Sequence, residues 1–341
     1  MTINNIHFVG SIGLENSDQV FRSLGSIIGE RASRYPDGET GNRHYWVQWQ
    51  SAVFENHEAF EFETEREQLT DTANRTSLFA LKNPGAVEEL EFDEIGYASE
   101  ALASYAQFKQ LKQEGVIPES TRFQVSLPTP IAVLTTFLVP DHRPLAEAAY
   151  TKAMVSELQA ILAGIPHDEL AIQWDVAHEV VCYEGNFPFA YSDILEGTGD
   201  RVSYLLKLIP ASVITGVHLC YGDPGHKHII DPVDLGNCVK FANLIYNQSE
   251  GRLDFVHMPV LIERKDNDYF SPLTDLAIGS AELVLGLVHY TDGADGTRER
   301  INTAKKFVSD FSIATECGFG RRDPETIPDL LAIHRDVFDS K

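Results

Sequence analysis

The chain is poor in positive charge, in cysteine and in long apolar runs. It carries 27 Lys and Arg against 51 Asp and Glu, a formal net charge of -24 with a pI near 4.8. A surface of that sign repels nucleic acid and anionic membranes at ordinary salt, which removes both from the expected partners. No run approaches the roughly eighteen apolar residues of a membrane-spanning helix, and the first residues show neither the basic nor the apolar region of a secretory leader. A cytoplasmic protein is expected. Cys182, Cys220, Cys238 and Cys317 are the only cysteines in 341 residues, too sparse for a disulfide framework and suited to a reducing compartment. There is no linker rich in Pro, Gly or Ser, no internal repeat and no low-complexity tract. With 43% hydrophobic and 23% charged residues, the chain is expected to fold throughout, as a single domain over residues 1–341.

What is present is a regular alternation. Short apolar runs begin near Ile6, Ala32, Arg122, Leu170, Val213, Asp254, Leu283 and Phe311, and most are followed by a stretch with apolar residues at helical spacing. After the first run, Asn16 or Ser17 caps a helix whose apolar positions are Val20, Phe21, Leu24, Ile27 and Ile28. Residues 45–96 break the pattern and read as an irregular excursion. Eight strands with helical crossovers imply a parallel sheet closed into a (β/α)8 TIM barrel, an α/β fold whose chemistry sits at the C-terminal ends of the strands.

The polar residues obey that rule. Strand ends deliver Gly10 and Ser11, then Asp37 and Glu39, Ser126 and Thr129, Gln173 and Asp175, His218 and Cys220, His257, Glu263, His289 and Asp292, and last Glu316 and Cys317. Asp37 and Glu39 lie in a loop dense in charge and glycine, which reads either as a surface turn or as a substrate-facing loop. His218 and Cys220 are two apart at a strand end, so both side chains project to one side. Cys317 ends a run 97 residues later, about three βα units on, enough to bring its strand beside that of Cys220. One imidazole and two thiolates form a soft donor set that selects Zn2+. Glu263 is taken as a fourth ligand, with His257 the alternative. His226 and His228 fall in what reads as a solvated turn, and Cys182 and Cys238 read as structural.

These residues carry a resemblance. His218-Leu219-Cys220-Tyr221 resembles the His-x-Cys-Tyr zinc motif of the cobalamin-independent methionine synthase family, and the segment Glu316 to Arg322 resembles its late Cys-Gly zinc segment. Val9-Gly10-Ser11 resembles the opening that holds an amino-acid carboxylate. Gln173-Trp174-Asp175 resembles the strand whose Asp meets the substrate amine, and Leu287-Val288-His289 the strand whose His donates a proton. The match spans most of the chain and the catalytic half of a full-length synthase. The family's glutamate ligand falls near Pro259 here, between His257 and Glu263. The resemblance implies a zinc enzyme that holds a small thiol as a thiolate and transfers a methyl or other alkyl group to it, with Asp175 and His289 catalytic and Gly10, Ser11 and Gln173 around an amino-acid-like substrate; Asp37 and Glu39 join them in the reading of their loop as substrate-facing, although that loop differs from the synthase pattern. A decarboxylase or carbon-sulfur lyase of the wider uroporphyrinogen decarboxylase-like superfamily is the alternative.

Overall fold

The computed structural model describes residues 2–67, 75–185, 187, 189–222 and 228–340. Ten strands occur: β1 (Thr2–Ile6), β2 (Arg34–Pro36), β3 (Phe60–Glu67), β4 (Arg75–Leu81), β5 (Arg122–Pro128), β6 (Leu170–Val176), β7 (Ile214–Leu219), β8 (Phe255–Pro259), β9 (Glu282–Val288) and β10 (Asp310–Thr315). Eight of them form one parallel sheet in the order β1-β10-β9-β8-β7-β6-β5-β2. Every residue of β6 and β8 is buried, the expected state of strands covered on both faces, and the reason their sequences run apolar without alternation.

The helices are α1 (Ser17–Ile27), α2 (Ser51–Glu55), α3 (Tyr97–Gln113), α4 (Pro130–Phe137), α5 (Arg143–Gly164), α6 (His178–Gly185), α7 (Ile194–Lys207), α8 (Gly236–Gln248), α9 (Asn267–Phe270), α10 (Gly293–Ala304) and α11 (Ile327–Asp339). No helix among the described residues is long and apolar enough to cross a membrane. Asn16 caps α1 by accepting from Gln19 N at 3.0 Å, while Val20, Phe21 and Leu24 turn into the core. Gly25 in the same helix lets the backbone after α3 approach closely, since a side-chain carbon there would collide with the carbonyl of Val116.

The sheet curls until its end strands return to each other, and there the joint changes character. Neighbouring strands elsewhere share ladders, whereas β1 and β2 meet through side chains and one isolated bridge. Asn5 donates to Ser33 Oγ at 2.7 Å and accepts from Ser33 N at 3.0 Å, and Ile12 N donates to Gly38 O at 2.9 Å. A barrel closed by backbone ladders all the way round was the expectation; this seam is the departure. The first strand also lies earlier than its apolar run: it ends at Ile6, where the run begins, and its pairing with β10 shifts register between Ile3 and Ile6.

The excursion is not irregular throughout. β3 and β4 form an antiparallel hairpin, with Phe60 opposite Leu81 and Phe62 opposite Phe79. Its root packs Phe60 and Phe79 against Phe54, which also meets Phe137 and Tyr150. The hairpin is thus anchored to the outer helices by a cluster of aromatic rings, each pair adding a little beyond its area.

Candidate metal centre and carboxylate bowl

Two of the expected ligands come from one strand end and the third from across the mouth. His218 lies in register with Asp175 of β6 on one side and His257 of β8 on the other. Cys220 follows β7, and Cys317 follows β10. These strands are not neighbours, as their spacing suggested, because β8 and β9 stand between them. The cysteines meet because the chain turns inward beyond the strand ends, so that the thiols approach across the mouth. Their sulfurs are 3.6 Å apart, Cys317 Sγ is 3.7 Å from His218 Nε2, and all three donor atoms lie within 4.8 Å of one another.

The hydrogen bonds fix the state of His218. His257 Nε2 is 3.0 Å from the carbonyl of Thr315, which only accepts, so this nitrogen carries the proton. Its Nδ1 is therefore bare and accepts from His218 Nδ1 at 2.7 Å, which leaves the lone pair of His218 on Nε2, facing the thiols. Burial, followed by the neighbouring His257, holds His218 well below the ordinary histidine range and keeps the ring neutral, the form that binds metal. A tetrahedral zinc with bonds of about 2.3 Å to sulfur and about 2.1 Å to nitrogen needs sulfurs about 3.8 Å apart and sulfur about 3.6 Å from nitrogen. The Cys220–Cys317 and Cys317–His218 separations match these values. Gly222 N also donates to Cys220 Sγ at 3.3 Å, which helps to fix the sulfur in place.

Glu263 is not brought into this group. It is exposed on the turn after β8, and among the described residues the donor cluster is His218, Cys220 and Cys317 alone. His257 is close, but it stands behind His218 and spends both nitrogens on hydrogen bonds. The reason is geometric, since a β8 residue in register with His218 lies beside it and not above it.

Beside this centre sits a bowl of carboxylates. Asp175 Oδ1 accepts from Gln173 Nε2 at 2.9 Å, and its Oδ2 accepts from the indole of Trp46 at 3.3 Å. Glu39 adopts the left-handed backbone, φ 49°, and its carboxylate lies over Gly10, where a side-chain carbon would come within 2.7 Å of Oε1. Burial raises both Asp175 and Glu39, and the Asp175 charge raises Glu39 further. Two carboxylates so placed resist ionising together and retain a proton until a cation arrives.

Asp37 has a different task. Burial would raise it, yet Arg43 at 2.6 Å, Ser104 at 2.7 Å and Glu39 N at 2.9 Å hold it below its ordinary range. Its oxygens are spent on shaping the loop that presents Glu39. Gln173 is likewise occupied: it accepts from His7 Nε2 at 3.0 Å and donates to Val9 O at 2.6 Å. It positions Asp175. Ser11 accepts from Gly320 N at 3.3 Å and bonds through its carbonyl to Phe319 N at 2.8 Å, tying the first strand end to the segment that carries Cys317.

His289 donates from Nε2 to Val260 O at 2.9 Å and turns Nδ1 toward Glu316 at 3.7 Å. Burial pushes its pKa down to about 4 against the opposing pull of Glu316, so it rests neutral and not at the near-neutral value of an open histidine. His228 is not solvated as its turn-like sequence suggested; its side chain is 4% exposed and meets the other oxygen of Glu316 at 3.2 Å. His226 lies outside the described residues.

No protein-family model matches the sequence, and no curated protein matches it. Solved structures do. A B12-independent methionine synthase from Shewanella sp. W3-18-1, in complex with selenomethionine, aligns at a TM-score of 0.66 and 13% identity over 99% of this chain and 98% of that one. A Listeria monocytogenes protein assigned as a vitamin-B12-independent methionine synthase aligns at 0.61 and 13%, over 100% and 98%. At that identity the likeness is one of fold. It holds from end to end in both directions, so these neighbours share this chain's length as well as its architecture.

One site residue escaped the reading of the sequence: Trp46, which reaches Asp175 from 129 residues away. Glu316 and His257 stand out in the sequence as strand-end polar residues, but their tasks do not, since Glu316 joins two histidines and His257 serves His218.

Proposed function

We propose that the chain is a single (β/α)8 barrel domain acting as a zinc-dependent transferase, which moves a methyl or other alkyl group onto a small, amino-acid-like thiol. The observation that carries this reading is the convergence of His218 Nε2, Cys220 Sγ and Cys317 Sγ at separations suited to tetrahedral zinc, with a neutral imidazole and no fourth donor among the described residues. Three protein ligands and an open position are the pattern of a catalytic zinc, and four that of a structural one. When bound, zinc supplies the positive charge that keeps a coordinating substrate thiol deprotonated near neutral pH.

The chain's own residues do the rest. Glu39 and Asp175 receive the substrate's ammonium group and give up the proton that kept them apart. Gly10 and Ser11 open beside them, where backbone amides suit a carboxylate. The Shewanella neighbour was solved with selenomethionine, a ligand with the same two groups. Bringing a proton to the leaving group falls to His289, which must first be loaded at Nδ1; the Glu316 carboxylate facing that atom favours the loaded form.

The test is spectroscopic. Metal analysis of the purified chain is expected to find one zinc, and X-ray absorption at the zinc edge two sulfur ligands, rising to three when homocysteine or another small thiol binds. A coordination shell that no thiol changes would end this reading.

A further inference from the structure

Two arginines lack the carboxylate partner that several buried guanidinium groups among the described residues have: Arg34 pairs with Glu282 at 2.9 Å, Arg43 with Asp37 at 2.6 Å, and Arg300 with Asp292 at 2.7 Å. Arg143, at the start of α5, is 5% exposed, and its Nε donates to Leu138 O at 3.0 Å. Among the described residues nothing accepts from its two terminal nitrogens, and no carboxylate pairs with it. Arg66 of β3 is half-buried and also lacks a carboxylate partner among the described residues.

The two arginines act on each other, on His178 and on Cys182; Tyr191 acts on Arg143, and the buried carboxylate of Glu179, bonded to Thr129, acts on Cys182. Burial and the repulsion of Arg66 lower Arg143 to about 10, and burial with both arginines lowers His178 to about 3. His178 opens α6, just beyond the end of β6 that carries Asp175. Thr136 gives its hydroxyl proton to Ala132 O at 2.8 Å, so it accepts from His178 Nε2, 3.5 Å away, and the buried His178 Nδ1 is left without a partner. The His178 ring stacks on Trp46, centroids 5.7 Å apart and planes 15° apart, and Trp46 on its other side donates to Asp175. A single indole therefore stands between the carboxylate bowl and two arginines that no carboxylate among the described residues pairs.

We propose that Arg66 and Arg143 form a receptor for the anionic group, carboxylate or phosphate, of the second substrate, the alkyl donor, which lies across Trp46 from the thiol substrate's ammonium site. That identification of the occupant rests on the transfer reading above; the anion site itself rests on the arginines. The arrangement sorts two substrates by charge, with the cationic end of one drawn to Glu39 and Asp175 and the anionic end of the other to the arginines. Planar guanidinium groups suit this task, because two of them can take the oxygens of one carboxylate or phosphate in forked pairs.

Calorimetric titration of the full zinc-loaded chain with inorganic phosphate, and separately with glutarate, tests it. Saturable binding of at least one is expected, and the preferred anion names the donor's group. Arg66→Gln, at a half-buried position, is expected to weaken that binding about tenfold or more, and Arg143→Gln likewise, with a thermal melt to show that it folds. Arg75→Gln, which breaks an exposed pair with Glu65 on the same hairpin, should leave binding unchanged. Absence of saturable binding for both anions, or binding that Arg66→Gln leaves within about twofold, overturns the site. Thiol-induced change at zinc is read in the same preparation: its loss with anion binding intact would end the transfer reading alone, and the converse would end the anion site alone.

Discussion

His218 is useful to a metal only because His257 occupies its other nitrogen, and that dependence can be measured. Replacing His257 with Phe keeps the volume apolar and removes the acceptor, so His218 is no longer held with its lone pair on Nε2; zinc affinity is expected to fall about 10–100-fold. Cys220→Ser and Cys317→Ser should each abolish stoichiometric zinc, whereas Glu263→Gln should retain it, all by metal analysis after dialysis. The carboxylate bowl predicts a pH effect of definite sign. Glu39 and Asp175 are raised in the folded chain, so above the ordinary carboxylate range the folded state holds more protons than the unfolded one, and stability declines as pH rises. Glu39→Gln removes the conflict. Its melting temperature should exceed that of the parent at pH 8 and draw level toward pH 4, while affinity for an ammonium-bearing thiol falls. The polar strand ends could be read from the sequence because a barrel strand must finish somewhere polar. Trp46 could not, since nothing local distinguishes an indole that bonds a carboxylate 129 residues away from one that fills a core.

At the level of elements, period and punctuation placed the strands from β5 onward in the sheet, whereas β1, Thr2–Ile6, lies ahead of the apolar run that begins at Ile6, because its own residues, Asn4 and Asn5 among them, carry no apolar run. The hairpin was hidden. Its first strand opens with alternating aromatic and acidic side chains, Phe60-Glu61-Phe62-Glu63, a two-residue period that the dense charge around it obscured, and its root packs on helices remote in sequence. Helix α1 offers a test of packing against propensity. Ala is the better helix former by about 1 kcal/mol, yet a methyl group on residue 25 would strike the Val116 carbonyl, which belongs to rigid backbone. Gly25→Ala is therefore expected to destabilise the protein by about 2 kcal/mol or more, seen as a lower denaturation midpoint with unchanged slope.

Over the whole molecule, burial is the dominant influence on histidine. His257, His289 and His334 are each lowered to about 4, with burial the largest cause. A buried neutral imidazole costs nothing above the unfolded value near 6.5. As pH falls from there toward 4 the unfolded chain binds protons that the folded chain refuses, and stability is lost across that window. Equilibrium denaturation between pH 7 and pH 4 should show a steep decline, and His334→Phe, remote from the zinc ligands, should flatten it. The fold itself is shared with proteins of the same length at 13% identity, so the pattern of buried strands can be kept while most side chains change.

The seam between β1 and β2 bears on how such change is accommodated. Gly10 and Ser11 emerge from one side of it, Asp37 and Glu39 from the other, while the metal donors rise from strands paired by backbone ladders on both sides. Recognition is thus lodged at the one joint where the backbone makes the fewest commitments, and reactivity where it makes the most. A lineage could re-cut the substrate cradle by shifting these two edges against each other, without moving a sulfur.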